Sequence, residues 1–479
     1  MAGLSEARAE GVVGVLAAAG IVAALMQTLV VPLIGELPKL LGTTPSNASW
    51  VITATLLAGA VATPITGRLG DLYGKRRMLL ICTVPLIAGS VVCALASSVL
   101  PMIVGRGLQG IGMGIVPLGI SALRDVLPAE RLGTSIAVMS ASMGIGGALG
   151  LPIAAAVAQN ASWRALFWGA AALSAVVAAL IWFLVPATPT RGSGGFDVLG
   201  AIGLGTGLVC LLLGVSKGGD SGWTSPTTIG LFAAAVVVLV LWGWWELAAR
   251  DPLVDLRVTA RKQVLLTNAA SVVVGFAMYA QSLIVPQIMQ LPAATGYGLG
   301  QSMIAMGLWM APGGVVMMAI SPLGARLSAA RGPKVTLVAG SAVIALGYAS
   351  SMALLGSTWG LLVMTCLCSA GVGLAYGAMP ALIMSAVPLS ETASANSFNT
   401  LMRSVGTTVS AAVVGVVLAQ MTTQLGGHTI PTEAGFRTGL LIGCGVAALA
   451  ALIAVAIPGR RAQAAPTEND ARDMAATNA

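Results

Sequence analysis

Fourteen long, almost uncharged stretches separated by short polar segments set the hydrophobic pattern of this chain. Each stretch has about 20 residues, the length at which an α-helix crosses a hydrocarbon layer. The pattern predicts spans at residues 12–34, 48–66, 78–97, 102–123, 133–157, 164–186, 198–216, 227–245, 264–289, 301–322, 335–355, 359–381, 396–420 and 436–457. Stretches of this length suit helices rather than the short alternating strands of a barrel. We therefore predict an all-α polytopic membrane protein.

One uncharged region, residues 263–325, is long enough for two spans, and its hydrophobicity alone does not show where to divide it. The turn-rich sequence LPAATGYGLG at residues 291–300 supplies the division, because clustered Gly and Pro interrupt helices. We place the ninth and tenth spans on either side of it.

Composition supports a membrane protein and explains its positive charge. Hydrophobic residues make up 57% of the chain, charged residues make up 8%, and the mean hydropathy is +0.93. Lipid is therefore the expected solvent. An even number of spans puts both termini on one side, whose tails and loops hold 18 of the 24 Lys and Arg residues. Because basic residues collect in cytoplasmic loops, we predict that both termini are cytoplasmic. The net charge of +8 then follows from topology, and no nucleic-acid partner is expected.

Residues 67–77, with the sequence GRLGDLYGKRR, place five charges between the second and third spans. We predict a polar loop in water at this position. Gly67 and Gly74 permit tight backbone geometry, and Asp71 is suited to cap or pair with a neighbouring helix end. Asp125, at the end of the fourth span, is a candidate for the same charged cluster.

The second half of the chain repeats landmarks of the first half at a nearly constant distance in sequence. Leu69 and Gly74 have counterparts 258 residues later, and Pro128 has one 260 residues later. Such a repeat predicts two six-span bundles with a shared central site. The predicted domains are an N-terminal segment at 1–11, the first bundle at 12–186, a linker with two inserted spans at 187–250, a loop and the second bundle at 251–457, and a disordered tail at 458–479.

These features resemble one transporter family. The Gly, Asp and basic residues of 67–77 are similar to the signature between helices 2 and 3 of the major facilitator superfamily. The two inserted spans, between TRGSGGFD and ELAARDPLVDLRV, resemble its 14-helix drug:proton antiporter branch. The resemblance implies the major facilitator fold, with two six-helix bundles and two extra helices between them. It also implies a conformational latch formed by Gly67, Arg68, Asp71, Gly74, Lys75, Arg77 and Asp125.

The fourth span contains an arginine, Arg106, in the sequence PMIVGRGLQGIGMG. A buried arginine near mid-span costs at least about 2.5–3.5 kcal/mol, so it needs a partner or water. The stretch resembles the arginine motif that this family uses in proton coupling, which implies that role for Arg106 and Gln109. A structural arginine bonded to backbone carbonyls is the alternative.

The fifth span, MGIGGALGLPIAAAV, has small residues at helical spacing. Gly146 and Gly150 lie four residues apart, which predicts close helix packing, and Pro152 follows them. The stretch resembles the antiporter motif of exporters. It departs from that motif at Leu151, where the family has proline.

Acidic residues are missing where the resemblance would place one. The 14-helix antiporters usually carry an aspartate in the first helix, and here Met26 and Gln27 stand at that place. Proton antiport requires a group that changes charge near neutral pH, which arginine cannot do. The candidates are Glu36, at the outer end of the first span, Asp71 and Asp125.

The second arginine inside a span, Arg403, is a candidate for the wall of a central cavity. Facing Arg106 across the pseudo-symmetry axis, it would make the cavity positive or at least acid-free and would favour neutral or anionic amphiphiles over cations. The alternative is an Arg403 that snorkels or pairs with a helix end. The other predicted cavity residues are Gln27, Tyr279, Gln281, Met306, Trp309 and Asn399.

The resemblance implies a secondary active transporter that exports drug-like or antibiotic amphipathic molecules by proton antiport. A dedicated transporter of one metabolite, in either direction, is the alternative. A membrane-embedded enzyme and a sensor without transport are disfavoured, because the spans lack clustered acids, histidines and nucleophile motifs while the segment 67–77 is nearly complete. We expect no catalytic residues, no metal site, no cofactor besides the proton gradient, and a monomer in the bacterial cell membrane.

Overall fold

The computed structural model describes residues 6–30, 33, 37–43, 45–187, 194–425 and 428–458. Its first half contains α1 (Glu6–Thr28), a short α2 (Leu37–Leu40), α3 (Pro45–Tyr73), α4 (Lys75–Leu95), α5 (Val99–Ile111), α6 (Ile115–Val126), α7 (Ala129–Asn160) and α8 (Arg164–Leu184). Glu36 lies outside the described residues, as do residues 1–5 of the N-terminal segment, 188–193 of the linker and 459–479 of the tail.

The remaining elements form the inserted pair and the second half. They are α9 (Val198–Ser221), α10 (Pro226–Ala248), a short α11 (Leu256–Thr259), α12 (Lys262–Gln290), α13 (Met303–Arg331), α14 (Pro333–Leu354), α15 (Thr358–Ala386), α16 (Thr392–Gln420), the strands β1 (Thr422–Leu425) and β2 (His428–Pro431), and α17 (Glu433–Ala456). The two strands form an antiparallel hairpin, for which the hydrophobic pattern gave no indication.

Helix starts in the second part of the chain follow local capping chemistry. The side chains of Ser225, Ser302, Ser357 and Thr432 each accept a hydrogen bond from the backbone N–H three residues later. This bond satisfies one of the amide groups that the first helical turn leaves free. The sequence therefore fixes several span boundaries through single residues.

The described residues contain fourteen helical spans that are long and apolar enough to cross a membrane, which confirms the predicted number. The division of residues 263–325 is also confirmed, since α12 ends at Gln290 and α13 begins at Met303. The fourth span consists of α5, a 3₁₀ turn at Gly112–Gly114, and α6.

The prediction of a water-exposed loop at residues 67–77 is wrong. Helix α3 continues to Tyr73 and α4 begins at Lys75, so Gly74 alone interrupts the helices, with φ 94°. Arg68, Asp71 and Lys75 are buried, each with at most 8% of its surface exposed. The other half of the molecule supplies hydrogen-bond partners to Asp71 and Lys75 in place of water.

Backbone geometry agrees with the internal repeat at two landmarks. Gly332 breaks α13 from α14 with φ 89°, as Gly74 breaks α3 from α4. Pro128 and Pro388 both adopt extended backbone immediately before a helix. These matches support the repeat, and the exact domain boundaries stay a prediction.

Two main hydrophobic cores correspond to the two halves of the chain. One is built almost entirely from residues between Ala9 and Val185, and the other from residues between Ala270 and Ile457. A third core joins the inserted helix α9 to both halves, through α3 residue Ala60 and α16 residue Leu401. The contact between α3 and α16 is therefore the place where all three units meet.

Candidate functional site

The carboxylate of Asp71, near the end of α3, caps a helix of the other half. One oxygen accepts the N–H of Ala393 at 3.2 Å, and the other accepts the N–H of Ser394 at 2.8 Å. Both amides belong to the first turn of α16, where the helix leaves its N–H groups free and its dipole is positive. A negative charge from the first half thus stabilises a helix start in the second half. We call this contact and its neighbours the latch, and their end of the molecule the latch end.

Lys75, the first residue of α4, joins three helices beside Asp71. Its Nζ lies 2.7 Å from the Oδ2 of Asp125, and both side chains are at most 5% exposed. The same Nζ donates to the hydroxyl of Thr392 at 3.0 Å and to the carbonyl of Ser121 at 3.3 Å. Because every donor of the ammonium faces an acceptor, the charge is stable in a buried position.

Glycine at position 67 allows α3 to approach α16. A Cβ at Gly67 would lie 2.3 Å from the Oγ of Ser397 and 2.8 Å from the carbonyl oxygen of Ala393, closer than carbon atoms approach in folded proteins. The positive φ of Gly74, outside the range of most side chains, turns the chain into α4. Gly74 thus has the tight backbone geometry that the sequence suggested, and Gly67 permits a close contact between two helices.

The remaining basic residues of the segment differ in their placement. Arg68 is buried at the latch, and its Nε has no hydrogen-bond partner among the described residues. Arg77 is exposed on α4 and lies outside the latch contacts. Arg76 donates to the carbonyl of Trp182 on α8 and stacks over its ring.

The contact between the halves is completed by Asn396 and by three residues that the sequence pattern did not single out, Ser121, Ser140 and Thr392. Asn396 donates to the hydroxyl of Ser121 at 3.1 Å, and Ser121 donates to the carbonyl of Thr392 at 3.1 Å. Farther from the latch end, Ser140 donates to the carbonyl of Tyr376 at 3.1 Å. Isolated Ser and Thr residues in spans give no sequence signal for such pairings, because their partners lie on distant helices.

Arg106 is enclosed within the first half, with 1% of its surface exposed. Its Nη1 donates to the carbonyl of Met26 and to the Oε1 of Gln109, both at 2.6 Å, and its Nε donates to the carbonyl of Val51 at 3.3 Å. Gln109 in turn donates to the hydroxyl of Ser90 at 2.8 Å. The guanidinium therefore ties α1, α3 and α5 together directly, and α4 through Gln109.

The carbonyl of Met26 explains how this arginine is held without an acid in α1. Helix α1 ends at Thr28, so Met26 is among the four residues whose carbonyls lack helical partners. The negative end of the helix dipole also favours a cation there. The geometry supports the structural alternative for Arg106, and a coupling role for Arg106 and Gln109 stays a prediction.

A small cavity lies between the halves, on the side of the latch that is away from the latch end. Its wall comes from α6 and α7 of the first half and from α15 and α16 of the second half. The lining residues are Ile120, Ser140, Met143, Tyr376, Pro380, Asn396, Asn399, Thr400 and Arg403.

The cavity contains Asn399 and Arg403 of the predicted set, and the other predicted cavity residues do not line it. Met306 is buried in the second-half core, and Trp309 packs edge to face on Trp359 at 5.0 Å. Gln27 contacts Met113 at 3.8 Å, and Tyr279 and Gln281 also lie away from the wall. The prediction that Arg106 faces Arg403 across the cavity is wrong, since close packing of α5 on α3 and α4 encloses Arg106.

Arg403 has a distinct environment in this wall. Its guanidinium lies 4.4 Å from the centre of the Tyr376 ring, a cation–π contact. Neighbouring Asn399 donates to the Oδ1 of Asn268 at 2.9 Å and to the hydroxyl of Ser271 at 2.7 Å, which fixes α16 against α12. Arg403 is the one charged residue of the lining.

Helix α7 packs closely on α1, as its small residues predicted. A Cβ at Gly146 would lie 2.4 Å from the carbonyl oxygen of Ile21, and one at Gly150 would lie 1.9 Å from the hydroxyl of Thr28. Pro152 lies on the other side, against Gly307 of α13. Helix α7 therefore contacts both halves of the molecule.

Comparison with known proteins identifies the family. The model of the Major Facilitator Superfamily matches residues 16–411. The chain belongs to the Major Facilitator Superfamily. This facilitator is accordingly a multi-pass membrane protein of that family, and its fold agrees with a solved structure of the proton:xylose symporter XylE, with a TM-score of 0.66, 13% identity, and coverage of 95% of this chain and 97% of that one.

Two bacterial relatives have different degrees of characterisation. The facilitator is 27% identical to the uncharacterized MFS-type transporter YhcA of Bacillus subtilis, over 68% of this chain and 60% of YhcA. It is 28% identical to the multidrug resistance protein Stp of Mycobacterium tuberculosis, over 77% of this chain and 68% of Stp. The chain thus spans less than two thirds of YhcA.

Proposed function

We propose that this facilitator exports amphipathic, drug-like small molecules from the bacterial cytoplasm by alternating access, driven by proton antiport. The observation that carries the proposal is the latch between the halves, in which Asp71 caps α16 beside a cavity that both halves line. The relatives named as multidrug transporters, Stp among them, support the substrate class.

The distribution of basic residues supports a cytoplasmic position for the latch end. In that orientation, the closed latch prevents access to the cavity from the cytoplasm. Separation of α3 from α16 would break the hydrogen bonds of Asp71 and the bond between Lys75 and Thr392, and open a path from the cytoplasm. These bonds are few and charge-assisted, so small changes in their strength shift the balance between the two conformations.

The proposed proton coupling relies on acids of the latch, because no carboxylate lines the cavity among the described residues. A proton on Asp71 would remove the negative charge that caps α16, and it would thereby weaken the closed conformation. The buried carboxyl group of Asp71 would therefore connect proton binding to the movement of the halves.

A dedicated metabolite transporter is the second candidate. The polar lining supports it, because Asn396, Thr400 and Arg403 offer fixed hydrogen-bonding groups of the kind that recognise one ligand.

A susceptibility panel in a pump-deficient bacterium tests the proposal. We expect expression of the facilitator to raise resistance to several unrelated compounds, and Asp71→Asn to reduce that resistance by weakening the latch. The matched control is Ala329→Asn, at the exposed repeat counterpart of Asp71, which should behave as the parent. In vesicles, the rate of export should rise with an imposed proton gradient. Unchanged susceptibility throughout would favour the dedicated transporter, and a rate independent of the gradient would exclude antiport.

A further inference from the structure

We infer that the central cavity selects substrates with an anionic group, a carboxylate or sulfonate on an apolar body, and that Arg403 binds this group. The inference deepens the proposed function by naming the chemical class of its substrate. It rests on the cavity being the transport site.

The first observation is the unpaired charge of Arg403. Its guanidinium stacks on Tyr376, and no ion pair of this side chain occurs in the described part of the chain. Stacking on a ring face leaves the N–H groups at the edge of the guanidinium able to bind a ligand, and this fork matches a carboxylate in shape. A half-buried cation without an acid beside it gains from a ligand that brings the counter-charge.

The second observation is an unsatisfied acceptor in the same wall. Asn396 is 3% exposed, and its Nδ2 donates to Ser121, but its Oδ1 has no hydrogen-bond partner among the described residues. Buried amide oxygens normally accept a bond. Because Asn396 and Arg403 both line the cavity, a ligand with an acid and a hydroxyl or amide N–H would satisfy both of them.

The rest of the wall accounts for the apolar body and for the rejection of cations. Ile120, Met143 and Pro380 provide apolar surface. A cationic ligand would meet the charge of Arg403 in a medium of low dielectric constant, with no carboxylate in the lining to offset it. Arg106 is enclosed away from the cavity, and Arg403 is the one charged residue of the lining, so this selectivity depends on Arg403.

Binding to the purified full chain tests the inference with four probes that share one ring system. They are 2-naphthoate, its 6-hydroxy derivative, 2-naphthamide, and (naphthalen-2-ylmethyl)trimethylammonium, with affinity measured by calorimetry in detergent. We expect 2-naphthoate to bind at least about tenfold more tightly than the ammonium compound. The hydroxyl should strengthen binding further through Asn396.

Variants assign the effect to one side chain. Arg403→Gln should weaken 2-naphthoate about tenfold and leave 2-naphthamide unchanged, and Arg403→Lys should restore part of the affinity, because it keeps the charge without the fork. The matched control is Arg437→Gln, which removes an arginine that pairs with Glu433 on α17, away from the cavity. Thermal melting of each variant shows whether it is folded. If Arg403→Gln does not fold, the comparison of Arg403→Lys with the parent serves the same purpose.

Binding and transport assays separate this inference from the proposed function. Arg403-dependent binding of 2-naphthoate without export from vesicles would support the inference and refute the transport proposal. Preferred binding of the cation, an unaltered affinity in Arg403→Gln, or no binding of any probe up to about 1 mM would overturn the inference. Export of unrelated drugs at the parent rate by Arg403→Gln would overturn it while leaving the proposed function in place.

Discussion

Residues 67–77 and their repeat counterparts at 325–335 have similar backbone conformations but different side chains. Each segment joins two long helices, and each breaks at a glycine of positive φ, Gly74 or Gly332. Asp71, Lys75 and Gly67 of the first segment have Ala329, Pro333 and Ala325 as counterparts. The first segment therefore forms the latch, and the second lacks the acid, the lysine and the glycine that form it.

The second segment satisfies its polar groups locally. Ser328 donates to the hydroxyl of Thr336 at 2.8 Å, a bond within the second half. In contrast, the carboxylate of Asp71 and the ammonium of Lys75 bond to α16 across the interface. The repeat thus preserves helix geometry in both halves, while the first half alone supplies the charged side chains of these bonds at the latch end. Substitutions at paired positions should have unequal effects wherever the latch is involved.

The largest expected effect is that of Lys75→Met. The substitution keeps an apolar chain of similar length but removes the ammonium that lies 2.7 Å from the buried carboxylate of Asp125, which should destabilise the protein by about 3–5 kcal/mol. The repeat counterpart, Pro333→Ala, should cost about 1 kcal/mol or less. Unfolding in mixed micelles measures both free energies. Equal losses of unfolding free energy at the two positions would show that the Lys75–Asp125 pair contributes no more stability than the counterpart position in the second half.

Gly67→Ala should have an intermediate effect, chiefly on the balance between closed and open latch. The new Cβ would collide with Ser397 and with the Ala393 carbonyl, so α3 and α16 should separate at a cost of about 1–3 kcal/mol to the closed form. Spin labels at the exposed positions Tyr73 and Leu389 report the separation of the halves. In Gly67→Ala we expect a larger fraction of molecules with a long distance between the two labels than in the parent protein.

The matched control for Gly67→Ala is the inverse change, Ala325→Gly, at the counterpart position. It should leave the distance distribution unchanged and reduce stability only through helix propensity, by about 0.5–1 kcal/mol. A shift of the same size in both variants would mean that the second segment also sets the latch distance.

The membrane spans were predictable because their signal is local. Bilayer thickness sets the length of each apolar stretch, and turn residues such as those at 291–300 separate neighbouring helices. The close packing of Gly146 and Gly150 was predictable for the same reason, since helical spacing alone puts both on one face.

The partners of the latch residues and of the enclosed arginine were not predictable in the same way. Asp71 finds its partners more than 320 residues away in sequence, at Ala393 and Ser394, so a local pattern of charges suggested water instead. Arg106 bonds to the carbonyl of Met26, 80 residues away, and a carbonyl at a helix end has no side-chain signature. Tertiary packing decides which charges are buried, and the chain sequence around each charge does not show it.

The smallest effect on the latch is expected from Gly74→Ala and Gly332→Ala, the pair at which the two segments agree. Both glycines adopt a φ near 90°, which is strained for alanine, so each substitution should lower stability by a similar amount, about 1–3 kcal/mol. Each turn joins two helices of one half and is retained when the halves separate. The distances between labels at Tyr73 and Leu389 should therefore match those of the parent in both variants. If Gly74→Ala alone lengthened them, the turn itself would be part of the latch, and the difference between the halves would extend from side chains to the backbone.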